Sequence, residues 1–222
     1  MRETAAERSF LMATQNTSRT RQMVQLAILT AITLILSFTP LGYLRIGILS
    51  ITFIPVPVVI GAILLGPGGG LFLGCVFGLT SFAQCFGMDP FGTALMSLNP
   101  GATFVMCVLS RALMGLLSAY VYRLLSGVLS KAQRGGKNRM TPVAYAVASA
   151  SAPLFNTLFF MSLLYLFFND AQVVLEGIGD LPFFAFVFSA GAINAVCELL
   201  ASLVIGTAVC MALDRARMMR RF

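Results

Sequence analysis

Six apolar segments, each about as long as the hydrocarbon core of a bilayer is thick, fill this sequence and leave it few ways to fold. They run at about Gln22–Thr39, Ile48–Leu65, Leu71–Gly87, Gly101–Leu125, Pro142–Phe168 and Phe183–Leu213. Within 222 residues such segments leave room for short links and for no separate soluble domain. A mean hydropathy of +0.90 with only 10% charged residues agrees. The expected fold class is therefore all-α integral membrane, with six transmembrane helices. Pro55 and Pro57 disturb the first turns of the second helix, Gly66 to Gly70 make a tight turn into the third, and Pro153 is expected to kink the fifth.

Charge placement orients the helices. Thirteen of the fifteen basic residues fall at the N-terminus, in the link after the fourth helix with its flank (Arg123 to Arg139), or at the C-terminus. The opposite links hold Asp89, Asp170, Glu176 and Asp180, with Arg45 as their one basic residue. The positive-inside rule then puts both termini on the cytoplasmic side of a plasma membrane. The expected organisation is a cytoplasmic tail over residues 1–21, a six-helix domain over 22–213 and a basic cytoplasmic tail over 214–222. The first twenty residues are polar, and the short Phe10-Leu11-Met12 run is no signal-peptide core. The net charge of +7 reads as this topology signal rather than as a nucleic-acid surface.

The absence of histidine excludes His-based triads, HExxH zinc sites and histidine proton relays. Cys75, Cys85, Cys107, Cys197 and Cys210 fit neither a zinc site nor a disulfide framework, and read as small buried hydrophobes. With no GxSxG serine and no paired-aspartate motif, an intramembrane enzyme is not expected, and no metal or cofactor is called for.

Against this background, Arg111, Asn156, Asn194 and Glu198 stand out. Counting along helices at 1.5 Å per residue places all four near the bilayer midplane, Arg111 roughly 15 Å from the outer end of its helix and Glu198 slightly deeper than the rest. Glu198 lies one turn beyond Asn194 on the same face. Charges at that depth are costly and mark a ligand site by default. The competing reading is a structural network, most simply an Arg111–Glu198 pair. The outer links, Leu41–Gly47, Met88–Pro100 and Asn169–Pro182, mix loop and apolar residues and read as ordinary connectors or as lids.

Small residues recur every four positions. Gly70, Gly74 and Gly78 form a ladder on the third helix, and Ala144, Ala148 and Ala152 a stripe on the fifth; both are expected to pack helix on helix. Ala27 and Ala31 on the first helix fit either internal packing or a docking face.

The stretch Leu41–Phe82, with its Leu41-Gly42-Tyr43, Ile51-Thr52-Phe53, Ile60-Gly61-Ala62 and Leu65-Gly66-Pro67, resembles the substrate-binding S components of energy-coupling factor (ECF) transporters. Ser110 to Gly115, Asn156-Thr157 and Asn194 to Glu198 extend the resemblance over about residues 22–213. It implies a subunit with no chemistry of its own, which captures a vitamin from outside. The implied partners are a membrane scaffold subunit and two cytoplasmic ATPases, and the chain itself carries no Walker A sequence. The resemblance also implies that Ala27 and Ala31 contact the scaffold. Within the family the pantothenate-type members are most similar. Arg111 then suits a carboxylate, Asn99, Asn156 and Asn194 suit an amide and hydroxyls, and Glu198 accepts from a hydroxyl, with Phe82, Phe86, Phe104 and Tyr165 as walls. Riboflavin or another vitamin would use the same polar set. The alternative of another class is a morphogenesis scaffold like the rod-shape protein MreD, similar in architecture but without a ligand.

Overall fold

A computed structural model describes residues 5–46, 49–132, 141–168 and 195–216. Seven helices and one small hairpin make up these residues. Helix α1 (Ala5–Phe38) ends before Thr39-Pro40 and leads through a 3-10 turn (Pro40–Gly42) into strands β1 (Tyr43–Ile46) and β2 (Leu49–Thr52). The strands pair antiparallel, with Tyr43 opposite Thr52 and Ile46 opposite Leu49. Then follow α2 (Pro55–Leu65), α3 (Pro67–Gln84), α4 (Pro90–Leu98), α5 (Pro100–Ala132) and α6 (Thr141–Phe168). The last helix, α7, is described over Ala195–Arg215 and contains a π-helical turn at Ser202–Gly206.

Four of these helices are long and apolar enough to cross a membrane: α1 over Arg19–Phe38, α5, α6 and α7. Helix α1 starts well before its apolar part, inside the stretch expected to be a tail. Helix α2 is shorter than the sequence predicts. Its expected start at Ile48 is corrected to Pro55, and residues 49–52 form a strand instead. A helix from Ile48 would bury Pro55 and Pro57 in its interior, where each lacks the N–H for an i−4 bond. Starting at Pro55 puts both in the first turn, where no intrahelical acceptor is missed. The Met88–Pro100 link is likewise corrected: it contains α4, whose N-terminus Asp89 caps by accepting from the Gly92 N–H at 2.8 Å.

Helix α2 is the centre of the molecule. Every residue from Pro55 to Leu64 is buried, as expected for a helix apolar on all sides. Around it lie α1, α3, α5, α6 and α7. The α3–α5 seam is closed by the glycine ladder. A Cβ on Gly70 would stand 2.3 Å from the Gly115 carbonyl oxygen, and one on Gly74 2.3 Å from that of Arg111. Ala144, Ala148 and Ala152 are buried on α6, so both small-residue stripes pack internally as expected. Between α1 and α3, the Ser37 and Thr80 hydroxyls meet at 3.0 Å and the Gln84 amide donates to the Ser37 carbonyl.

Pro153 sits inside α6 and cannot bond to the Ser149 carbonyl one turn back. The Ser202 hydroxyl, in the π turn of α7, donates to that carbonyl at 2.7 Å. A side chain of one helix thus repairs the broken ladder of another, as membrane helices require.

Among the described residues two apolar cores result. The larger, around α2, includes Leu73, Phe77, Met114, Tyr145, Ala152 and Cys210. The smaller, toward α4, holds Cys85, Leu95, Met106, Cys107, Leu164 and Phe168. Ser110 and Arg111 on α5 and Asn156 on α6 fall in sequence between the members of the two cores. These three polar residues mark the boundary layer between the cores.

Candidate functional site

Arg111 is the centre of the layer. The helix ladder fixes its backbone, since Gly74 lets α3 approach its carbonyl oxygen directly. Its side chain is 9% exposed, and its Nη1 donates to the neighbouring Ser110 hydroxyl at 3.0 Å. The guanidinium carbon lies 5.3 Å from the ring centre of Phe77 on α3 and 4.7 Å from that of Phe160 on α6. Aromatic faces attract a cation without using its N–H groups. The Nε–H is buried and has no hydrogen-bond partner among the described residues. A buried guanidinium donor left open costs on the order of 1–3 kcal/mol or more, so the arrangement favours an incoming acceptor.

Asn156 lies one turn from Phe160 on α6 and so shares its face. Its side-chain oxygen is buried and also without a partner among the described residues. The layer therefore offers an open donor on α5 and an open acceptor on α6, with the Phe160 ring against the guanidinium. A ligand that fits would carry an anionic oxygen and a separate N–H or O–H.

Glu198 is buried as well, at 4% exposed, but its Oε1 accepts from the Thr52 N–H at 3.1 Å and the Thr52 hydroxyl at 2.6 Å. No ion pair joins Arg111 to Glu198 among the described residues: the guanidinium lies against Ser110, Phe77 and Phe160 instead. The simple Arg–Glu network considered from sequence is thus not how these two groups are arranged. Asn99 is exposed and caps α5, its side-chain oxygen accepting from the Ala102 N–H at 3.1 Å. Asn194, the Asn169–Pro182 link and the start of the sixth expected helix lie outside the described residues. Ala27 and Ala31 face outward on α1, beside exposed Ile28, Ile32 and Ile35.

Of the expected walls, Phe82 packs edge-on against Phe86 and Phe104. Phe86 and Tyr165 are 67% and 38% exposed, so much of each ring faces outward. Sequence reasoning missed Phe77, Phe160 and Thr52. Phe160 had a signal, being four residues after Asn156. Phe77 had a weaker one: it sits between Gly74 and Gly78, the residues that seat α3 on the Arg111 turn. Among the described residues no group of three metal-ligating side chains converges.

The family model for the ECF transporter substrate-specific component matches residues 21–209. The chain is also similar to the pantothenic acid transporter PanT of Lactococcus lactis subsp. cremoris (strain MG1363). The two are 27% identical over 179 residues, which cover 75% of this chain and 79% of the relative.

Proposed function

Because the chain belongs to the substrate-specific components of ECF transporters, we propose that this multi-pass plasma-membrane subunit captures pantothenate or a similarly small anionic precursor. The observation that carries the reading is the pair of open polar atoms, Arg111 Nε and Asn156 Oδ1. Pantothenate has a carboxylate for the first and an amide N–H and hydroxyls for the second. The likeness to a pantothenic acid transporter supports the same choice.

In this reading the chain crosses the membrane six times, through α1, α2, α3, α5, α6 and α7. Both termini and the basic residues around 131–139 lie in the cytoplasm, with the hairpin and α4 outside. The ligand enters from outside and the hairpin and α4 close over it. A membrane scaffold and two cytoplasmic ATPases then drive release inward, and the chain itself makes and breaks no covalent bond. The outward Ala27–Ala31 face of α1 meets the scaffold, since small side chains let helix backbones approach.

Native mass spectrometry of detergent-purified protein against pantothenate, riboflavin, thiamine, biotin, folate and pyridoxine tests the substrate. Retention of pantothenate alone is expected; retention of riboflavin or another member instead would reject it. Ala31→Trp tests the docking face. Vitamin binding should persist while co-purification with the scaffold subunit is lost.

A further inference from the structure

Glu198 carries a structural assignment that differs from ligand contact. Its carboxylate is buried in an apolar bundle, where a charge is tolerated only with strong partners. Both donors of Thr52 converge on one oxygen, the hydroxyl at 2.6 Å and the backbone N–H at 3.1 Å. The hydroxyl distance is in the range of a charge-assisted bond. Thr52 is the last residue of β2, and the next N–H, that of Phe53, donates to the Gly42 carbonyl at 3.0 Å. The Glu198 contact therefore holds the root of the hairpin.

The anchor itself is fixed. Ser202 lies one turn beyond Glu198 on α7 and is bound to the Ser149 carbonyl that Pro153 leaves open. A Cβ on Gly206, one turn further, would fall 2.6 Å from the Ser149 hydroxyl oxygen, so α7 also sits tightly on α6 there. Helix α7 is thus tied to α6, the helix that carries Asn156, and through Glu198 to the hairpin.

We propose that Glu198 is a positioning residue: it retains captured ligand by pinning the hairpin root to α7 through Thr52, without touching the ligand. This deepens the capture reading above and rests on it. If the hairpin root lifts, the carboxylate loses two donors at once, so the pinned state is favoured strongly.

The test uses full-length protein in nanodiscs with two variants, Glu198→Gln and Thr52→Val. Two quantities are read: amide hydrogen exchange of the 41–54 segment without ligand, and the pantothenate dissociation rate. Loss of a charge-assisted bond should speed hairpin exchange about tenfold in Glu198→Gln, and less in Thr52→Val, which keeps the backbone bond. Dissociation should accelerate in the same order, and association with it, because ligand leaves and enters past the same pinned root; the vitamin preference should be unchanged. The double variant should resemble Glu198→Gln alone, because both substitutions break one contact. Exchange in the α3–α5 seam should not change, which separates unpinning from unfolding. Unchanged hairpin exchange in Glu198→Gln would overturn the proposal. So would weaker binding in Glu198→Gln with dissociation from Thr52→Val at the wild-type rate, since Glu198 would then touch the ligand itself. If wild-type protein held no pantothenate, the capture reading would fail, while exchange of the ligand-free hairpin would still decide the pinning.

Discussion

On one side of α5, the backbone at Arg111 lies so close to Gly74 that no side chain fits between the helices. On the other, the guanidinium of the same residue keeps a buried N–H open. The two regions differ in what satisfies them. The seam is complete: helix backbones meet and dispersion holds them. The polar layer is incomplete, with the Asn156 oxygen also open. Unsatisfied buried groups are rare and costly in folded proteins, and the Arg111 one stands beside a direct backbone contact between helices. The close backbone approach at Gly74 keeps α5 from shifting to bond its own arginine elsewhere, and in the proposed function this holds the guanidinium in place for a ligand.

The largest expected effect comes from breaking the seam. Gly74→Val should cost about 3 kcal/mol or more through overpacking against backbone atoms. The expected readout is loss of the monodisperse peak in size-exclusion chromatography, with ligand binding lost along with the fold.

Breaking the other side should leave the fold alone. Arg111→Ala should lower affinity for an anionic vitamin by about a hundredfold or more, as removal of one partner of a buried charge contact does. Its unfolding temperature should stay within a few degrees of wild type. Arg111→Lys should recover only part of the loss, because an ammonium cannot present the planar fork.

Asn156→Leu separates the polar layer from the seam further. It should weaken binding by about tenfold, a lost hydrogen bond's worth, yet leave ligand-free stability unchanged or raised by about 1 kcal/mol, because it deletes an unsatisfied acceptor. A residue of the seam cannot give that opposite pair of signs. The smallest effect belongs to Gly68→Ala. A Cβ there meets nothing within 4 Å, so stability and binding should stay within about 0.5 kcal/mol of wild type.

Much of this arrangement is legible in the sequence. The glycine ladder predicts the seam because four-residue spacing puts small residues on one helical face. Arg111 and Asn156 stand out because lipid makes polar residues expensive. The class left open between transporter and scaffold is decided by family membership across residues 21–209. The hairpin is illegible for a physical reason: Ile48–Leu65 is apolar throughout, and an apolar run reads equally as buried helix or strand. Pro55 and Pro57 held the answer, since both are tolerated together only in a first turn. Depth placed Glu198 near the arginine, but depth carries no azimuth, and the carboxylate turns to Thr52. Asn99 looked like a ligand contact by type alone; an asparagine directly before a helix-opening proline is better read as a cap.

In the proposed function Arg111 holds an anionic oxygen of the captured molecule. Calorimetric titration of wild-type and Arg111→Ala protein with pantothenate and with its alcohol analogue, pantothenol, tests it most directly. Wild type should prefer pantothenate by about a hundredfold, and Arg111→Ala should bind both weakly and alike. A preference for the carboxylate that survives in folded Arg111→Ala protein would show that Arg111 does not hold it.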